Sequence, residues 1–175
     1  SNSSRSWMHS CDECGQKHKW SAIICNRTSK VNGCPICKNG TCVCSCLETK
    51  FPAISSEMIP ELNGGMTGKN ISPGSHKKVF WRCSKKLPEG CTIDCHMWKT
   101  SPNYRCYKGS GCPFCSKNKA CKHMGFEATQ SELMKEWDCE KNKSVNPVFL
   151  SPQSMQKIAW QCCKCENKWV TTAYH

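Results

Sequence analysis

Apolar residues in this chain occur in short runs that polar loops separate. The runs at residues 19–25, 77–82 and 158–160 each predict a short strand, and Trp169 begins a strand that returns beside the last of them. The polar residues 1–6 predict a flexible start. The pattern therefore predicts small β-hairpins rather than a sheet of long strands.

Helical periodicity is weak along the chain. Pro52 and Pro60 limit any helix around them to one or two turns. The sequence T-Q-S-E at residues 129–132 is a capping box, which predicts a short helix that runs to about Trp137. Leu133 and Trp137 lie on one face of such a helix, so Trp137 is predicted to anchor it in a core.

The pattern repeats along the sequence at a nearly constant offset. We interpret the chain as a partial repeat at residues 1–46, a whole repeat at 47–120 and a second partial repeat at 121–175. The last repeat stops before its expected C-P-x-C motif, which predicts a segment of a longer array. One offset joins Trp20, Arg27, Cys34 and Cys37 to Trp98, Arg105, Cys112 and Cys115, respectively. An offset that is one position longer joins Met58, Asn63, Ser75, Trp81 and Cys83 to Trp137, Asn142, Ser154, Trp160 and Cys162, respectively.

Composition limits the hydrophobic core that these repeats can form. Only 38% of the 175 residues are hydrophobic, and that share includes 19 Cys. Small units of this kind usually need metal ions or disulfides for stability. The sequence therefore predicts a small, metal-stabilised α+β fold of tandem zinc-ribbon repeats, built from β-hairpins and short helices with little conventional hydrophobic core.

The C-P-x-C and C-x-x-C turns favour zinc over disulfides. Each turn points two sulfurs at one place, and a structural zinc ion takes four Cys or His ligands, usually as two pairs. An odd number of Cys also excludes a fully disulfide-paired monomer. The predicted first site pairs one C-x-x-C with one C-P-x-C, and His18 stays open as an alternative ligand. Its predicted ligands are Cys11, Cys14, Cys34 and Cys37.

A second site and part of a third are predicted further along the chain. His96 stands two residues before a Trp, as His18 does, and it is preferred over Cys91 and Cys95, which remain alternatives. The second site is predicted to consist of Cys83, His96, Cys112 and Cys115. Cys162 and Cys165 form half of a third site, which would be completed beyond His175, be completed by Cys139 or Cys163, or stay empty.

Several Cys fall outside these sites. If the compartment is reducing, they are expected to be free thiols, although extra ligands or disulfides stay open. An intracellular location in the nucleus, the cytoplasm or a virion assembled there is predicted. The residues in question are Cys42, Cys44, Cys46, Cys121 and Cys139.

The formal net charge of +12 favours a polyanionic partner. A zinc site with four thiolates adds −2 and a site with three thiolates and one His adds −1, so one of each lowers the charge to about +9. Nucleic acid is the predicted partner, and Arg27 and Arg105 are candidates for phosphate contacts. No apolar run is long enough to cross a membrane, so no membrane partner is predicted.

With these motifs the chain resembles the probable zinc-ribbon repeat family. That family's pattern runs W-x-C, His-x-Trp, an N-R-T triplet and G-C-P-x-C, and it occurs in large DNA viruses, algae and bacteria. The resemblance implies the zinc-ribbon fold and zinc binding. Met58 replaces a Trp of the pattern and Asn167 replaces its His.

Two functions follow from these observations. The first is a non-catalytic array that binds nucleic acid through its ribbon surfaces. The second is a structural scaffold or cement protein of a large assembly such as a virion, acting through protein–protein contacts. No enzyme activity is predicted, because the chain has no nuclease-like carboxylate cluster and its Cys are grouped in fours, whereas a catalytic zinc keeps one position open.

Overall fold

The computed structural model of this protein describes residues 3–28 and 33–174. Within these residues six strands form three two-stranded sheets, each made by two strands that follow one another along the chain. The strands are β1 Ser4–Ser10, β2 Lys17–Ile23, β3 Val79–Arg82, β4 Met97–Thr100, β5 Lys157–Gln161 and β6 Lys168–Thr172. Each pair is called the first, second or third hairpin below.

The helices are short, as the Pro positions predicted. Pro is the first residue of α2, α4 and α5. Pro has no backbone N–H, and an N–H at this position would have no partner within the helix. The α-helices are α1 Ile24–Thr28, α2 Pro35–Lys38, α3 Leu47–Lys50, α4 Pro52–Ser55, α5 Pro102–Tyr107 and α6 Phe126–Thr129. The 3-10 turns are Pro60–Asn63, Gly68–Asn70, Ile93–His96 and Leu133–Glu136.

The first hairpin extends into the polar start of the chain. The sequence predicted flexibility at residues 1–6. Residues 1 and 2 lie outside the described part of the chain, but β1 begins at Ser4 and pairs with β2 along its whole length. Trp7 lies opposite Trp20, and His9 lies opposite His18. Pairing with the predicted strand therefore orders a segment whose own composition carries no strand signal.

The predicted capping box at residues 129–132 is not formed. Thr129 ends α6, and its Oγ1 donates to the carbonyl of Gly125 at 2.9 Å instead of capping a new helix. The turn that follows is a single 3-10 turn, and Leu133 is exposed. Phe126 is fully buried, so its burial places the helical turn earlier in the chain than the capping pattern predicted.

The chain divides into two compact units. Unit one contains the chain up to Arg82 together with Lys99–Ser110, and unit two contains Cys83–Trp98 and the chain from Gly111 onward. The boundaries predicted for the three repeats stay a prediction. Within the described residues, no helix is long and apolar enough to cross a membrane.

Unit two has a small aromatic core. Phe126, Trp137 and Trp160 pack with ring centroids 5.7–5.9 Å apart. The predicted burial of Trp137 is confirmed. Asn142 joins the preceding loop to this core, because its side chain donates to the carbonyl of Ala159 at 2.7 Å and accepts from the same residue's N–H at 3.0 Å.

Unit one repeats this arrangement. Trp81 is completely buried, and its indole N–H donates to the carbonyl of Thr100 at 2.9 Å. Asn63 holds the backbone of Phe80 by bonds of 3.0 and 2.8 Å, as Asn142 holds Ala159. Met58 forms an isolated bridge with Trp81, as Trp137 does with Trp160. The substitution of Met for Trp at position 58 therefore leaves the local backbone pairing unchanged.

Candidate metal centres

Cys and His side chains converge at four places within the described part of the chain. In each cluster the candidate ligand atoms all lie within 4.8 Å of one another. A tetrahedral zinc with bonds of about 2.3 Å would place its sulfur ligands about 3.8 Å apart. The clusters are centre A (Cys11, Cys14, Cys42, Cys44), centre B (His18, Cys34, Cys37), centre C (Cys83, His96, Cys112, Cys115) and centre D (Cys91, Cys95, Cys121, His123).

Centre C contains the four residues that the sequence predicted for the second site. Cys83 and Cys115 have their sulfurs 3.5 Å apart, and Nδ1 of His96 lies 3.8 Å from Cys112 and 3.6 Å from Cys115. His96 is almost completely buried, and its burial lowers the pKa of the imidazole, so the neutral ring that can bind a metal is favoured. The second hairpin provides one pair of ligands and the C-P-x-C turn provides the other.

Burial and crowding in centre C oppose ionisation of Cys112 and Cys115 while no metal is bound. Burial raises the pKa of Cys115 to about 12, with the neighbouring Cys83 and Cys112 acting in the same direction. Burial also raises the pKa of Cys112. A divalent cation would remove this repulsion, because a bound thiolate is stabilised by the charge of the metal.

Centre A lies at the tip of the first hairpin. The sulfurs of Cys11 and Cys44 are 3.6 Å apart, as are those of Cys14 and Cys42. The turn is closed by Gly15, whose φ of 69° lies in the left-handed region that glycine tolerates. Backbone N–H groups of Cys14 and Glu13 lower the pKa of the Cys11 thiol to about 6, which favours the thiolate that a metal binds.

Centre B lies beside centre A and has three ligands in contact. Nδ1 of His18 is 3.3 Å from the sulfur of Cys34 and 3.3 Å from that of Cys37. Nε2 of the same ring is 3.3 Å from the sulfur of Cys42, a member of centre A. Burial raises the pKa of Cys37 to about 12. His18 therefore contacts two metal centres through its two nitrogens.

Centre D is built from the loop of the second hairpin and the segment after the C-P-x-C turn. Cys91 and Cys121 have sulfurs 3.5 Å apart, and the sulfur of Cys95 is 3.2 Å from Nδ1 of His123. Burial raises the pKa of Cys91 to about 12. The four residues offer three sulfurs and one imidazole, a donor set typical of a structural zinc site.

The predicted first site is divided between two clusters. Cys11 and Cys14 were expected to join Cys34 and Cys37, but they lie with Cys42 and Cys44, and His18 takes their place. The length of the hairpin explains the difference. Strand β1 continues past His9, and two residues of strand advance the chain by about 6.6 Å, so the C-x-x-C turn lies well beyond the C-P-x-C sulfurs.

Centre D and half of centre A consist of residues outside the predicted sites. Cys42, Cys44 and Cys121 were expected to be free thiols, with a role as extra ligands or in disulfides left open, and Cys91 and Cys95 were alternatives to His96. The repeat itself contained the missing signal, because the offset that joins Trp81 to Trp160 also joins Cys42 to Cys121 and Cys44 to His123. Each unit therefore pairs a C-P-x-C centre with an accessory centre, B with A in unit one and C with D in unit two.

The third hairpin has a turn of the same kind but no complete cluster. Backbone N–H groups of Lys164 and Cys165 lower the pKa of Cys162, as their counterparts do for Cys11. Among the described residues, no third Cys, His or carboxylate joins Cys162 and Cys165 in a cluster. Asn167 stands where His96 stands in the second hairpin, so the pair lacks that ligand.

The two Arg residues predicted to contact nucleic acid occupy different environments. Arg105 is buried, forms an ion pair with Glu57 and lies over the ring of Trp81 at 5.0 Å. It therefore stabilises the interior of unit one instead of facing a ligand. Arg27 is half-buried and lies 5.2 and 5.7 Å from the ring centroids of Trp7 and Trp20.

All 19 Cys are free thiols in this structure. The donor sets of the four centres contain only thiol sulfur and imidazole nitrogen, which is the ligand chemistry that zinc prefers. Cys46 and Cys139 belong to none of the centres among the described residues. The pairs of close sulfurs therefore fit metal coordination rather than disulfide bonds.

The comparison with known families agrees with this chemistry. No curated protein matches the chain. Residues 54–118 and 133–175 match the family described as a probable treble clef zinc finger domain, and these segments cover more than half of the chain. The predicted zinc binding and the metal-stabilised α+β fold are confirmed. The chain belongs to the family of probable treble clef zinc finger domains.

Proposed function

We propose that this protein is a non-catalytic array of zinc-finger repeats that binds nucleic acid, and that its zinc ions shape the binding surface. The net charge of +12 supports a polyanionic partner. The observation that carries the proposal is a groove in unit two whose lining includes two exposed lysines and two phenylalanines. This groove is lined by Phe114, Phe149, Lys119, Lys122, Thr92, Asp94, Ala120, Cys95 and Cys121.

The groove has the chemistry of a single-strand binding surface. Phe149 is 59% exposed, so its ring is available for stacking on a base. Lys119 and Lys122 are exposed in the same groove and provide positive charge for phosphate contacts. Base–aromatic stacking combined with a basic groove is how many proteins bind single strands without reading sequence. Asp94 is the acidic residue of the lining.

The wall of this groove includes residues that contact or belong to metal centres C and D. Phe114 stacks on the ring of His96, a member of centre C, with centroids 5.1 Å apart. Cys95 and Cys121, both of centre D, form part of the groove wall. Loss of either metal would free these walls to move, so nucleic-acid binding should depend on zinc.

A smaller basic groove in unit one contains the predicted contact residue Arg27. Trp20, Asn26 and Lys38 also line it. The exposed ammonium of Lys38 and the guanidinium of Arg27 give this groove a positive charge. We include Arg27 in the proposed surface and leave out Arg105, which is buried against Glu57.

The proposal is tested by fluorescence anisotropy of the zinc-loaded chain with a labelled single-stranded oligonucleotide and a labelled duplex, over a series of salt concentrations. Phe149→Ala should weaken single-strand binding by about 1–3 kcal/mol, the usual contribution of one stacked base. Lys119→Ala combined with Lys122→Ala should lower the salt slope by roughly 1.4, because each phosphate contact contributes about 0.7 on a single strand.

The matched control is Lys141→Ala combined with Lys143→Ala. This double variant removes the same charge from exposed positions of unit two that do not line the groove. The proposal would be contradicted if both double variants weakened binding equally, or if the parent bound no tighter than about 0.1 mM at physiological salt.

A role as a structural scaffold is the second candidate, and the third hairpin supports it. Met155, Val170 and Tyr174 are 72%, 60% and 61% exposed, and Trp169 is 37% exposed. Exposed apolar side chains such as Val170 are available for protein–protein contact. The scaffold role predicts association that persists at high salt and is abolished by Val170→Asp, which sedimentation velocity would measure.

The proposed role of zinc is structural rather than catalytic. Centres A, C and D each provide four protein ligands, which closes a tetrahedral metal to substrate. A catalytic zinc keeps one position for water or substrate. The experiment that addresses this point is a search for nuclease activity in the zinc-loaded chain, and the proposal predicts none above the level of the Cys112→Ser variant.

A further inference from the structure

Within residues 3–28 and 33–174, centre B is one ligand short of the usual structural zinc site. His18, Cys34 and Cys37 provide three donor atoms, whereas the equivalent centre C has four. The three match His96, Cys112 and Cys115 at the same offset that joins the Trp of one His-x-Trp motif to that of the other. The ligand without a counterpart is therefore the one that Cys83 provides in centre C.

His9 occupies the position of Cys83 in the first hairpin. Cys83 follows Trp81 by two residues, and His9 follows Trp7 by two residues. The two Trp side chains are placed alike, because the indole N–H of Trp7 donates to the carbonyl of Ala22 at 3.2 Å and that of Trp81 to Thr100 at 2.9 Å. Ala22 and Thr100 are themselves equivalent, since each follows the Trp of its His-x-Trp motif by two residues.

The strand pairing places His9 on the correct face of the hairpin. His9 lies directly opposite His18 in the antiparallel pair, so both side chains project from the same face. Their ring centroids are 6.4 Å apart. In the second hairpin the N–H of Cys83 donates to the carbonyl of His96 at 3.1 Å, so the corresponding two ligands are also neighbours across the strands.

Another candidate ligand near His18 is Cys42, whose sulfur is 3.3 Å from Nε2 of His18. Cys42 already belongs to the four-Cys centre A. Because Nδ1 of His18 faces Cys34 and Cys37, its Nε2–H can donate to the Cys42 thiolate. A hydrogen bond of this kind orients a metal-ligating imidazole and fixes its tautomer.

We propose that His9 is the fourth ligand of centre B, which makes it a site of two imidazoles and two thiolates, bound by His9, His18, Cys34 and Cys37. This ligand set requires the His9 ring, whose centroid lies 6.4 Å from that of His18, to turn so that one of its nitrogens reaches the metal. Unit one then holds two zinc ions with separate ligand sets, joined by the hydrogen bond from His18 to Cys42. With two thiolates, centre B adds no net charge, whereas centre C with three thiolates adds −1.

The proposal is tested by zinc competition against a chromophoric chelator with the full chain and its variants. His9→Ala should weaken one of the bound zinc ions roughly 100-fold or more, since even an outer-shell partner accounts for about 10–100-fold. His9→Cys should restore tight binding, because it recreates the ligand that Cys83 provides. Met8→Ala is the control, as Met8 is its exposed neighbour on the opposite face of the strand.

Cobalt substitution tests the proposal without relying on the alanine variant. Thiolate-to-cobalt charge-transfer absorption grows with the number of Co–S bonds. His9→Cys adds one Co–S bond, so it should increase the intensity of this absorption. Cys42→Ser should remove the ion of centre A and weaken that of centre B by no more than about 10–100-fold, the usual effect of losing an outer-shell partner. Unchanged absorption in His9→Cys, unchanged zinc affinity in His9→Ala, or loss of two metal ions in Cys42→Ser would each overturn the assignment.

Discussion

At the scale of single residues, Arg105 illustrates how a basic residue can be structural in a basic protein. Its guanidinium pairs with the carboxylate of Glu57 and lies over the ring of Trp81, and all three side chains are largely buried. The sequence shows an Arg at the same offset in two repeats, which is equally consistent with a phosphate contact and an internal anchor. Only the position of Glu57, which is distant in the sequence, decides between them.

Arg105→Ala should destabilise the zinc-loaded chain by about 3–5 kcal/mol, because it leaves the Glu57 carboxylate without its partner in a buried position. Chemical denaturation followed by tryptophan fluorescence would measure the loss. Lys108→Ala, an exposed substitution two residues after Cys106, is the control and should change stability by less than about 0.5 kcal/mol. A stable Arg105→Ala variant with weakened nucleic-acid binding would instead support the original prediction of a phosphate contact.

Zinc affinity should increase with pH. Burial raises the pKa values of Cys37, Cys91 and Cys115 to about 12, so these thiols are protonated in the metal-free chain at neutral pH. Zinc binds the thiolate and must release those protons, so acidification favours the metal-free form. Calorimetric titrations in two buffers of different ionisation enthalpy would count the protons, and a result of no protons released would contradict the geometry of these centres.

At the scale of elements, the length of the first hairpin separates the two metal centres of unit one. The first hairpin extends past His9 and His18 to a C-x-x-C turn. The sulfurs of this turn and those of the C-P-x-C turn therefore lie at different positions along the hairpin. The motif spacing alone suggested a single site, because a C-x-x-C turn and a C-P-x-C turn can each supply two of the four ligands of one zinc ion. Centre C was predictable since His96 keeps its spacing to Trp98, whereas centre D needed the comparison of Cys121 with Cys42.

Single Cys substitutions should remove metals one at a time. Cys121→Ser should remove the zinc of centre D, and Cys112→Ser the zinc of centre C, because each takes one ligand from a different cluster. Cys139→Ser is the control, since this exposed residue belongs to no centre among the described residues. Zinc content would be measured by elemental analysis after gel filtration, and an unchanged content in Cys121→Ser would exclude centre D.

Gly125 should be irreplaceable at the start of α6. A Cβ there would lie 1.8 Å from the carbonyl oxygen of Val148. This oxygen is a backbone atom, so rotation of a side chain cannot relieve the clash. Gly125→Ala should therefore destabilise unit two by about 1–3 kcal/mol through forced backbone shifts. Gly111→Ala is the matched control, because a Cβ at that position meets no atom within 4 Å. Equal thermal unfolding of the two variants would show that α6 tolerates displacement.

At the scale of the whole molecule, metal centres supplement a small hydrophobic core. Unit two has an aromatic core around Phe126, whereas most of the buried side chains around the first hairpin are metal-ligand candidates. Composition predicted this dependence on metal, since few aliphatic residues accompany the many Cys. It could not predict how many ions bind, because the grouping of Cys depends on contacts between segments that are distant in the sequence.

The number of zinc ions held by the full chain tests this account most directly. Native mass spectrometry of the zinc-loaded protein should show four zinc ions per chain, one for each of the four centres among the described residues. A chain that holds only two, with no further binding at excess zinc, would contradict the accessory centres A and D. That result would leave only the two C-P-x-C centres that the sequence motifs suggest.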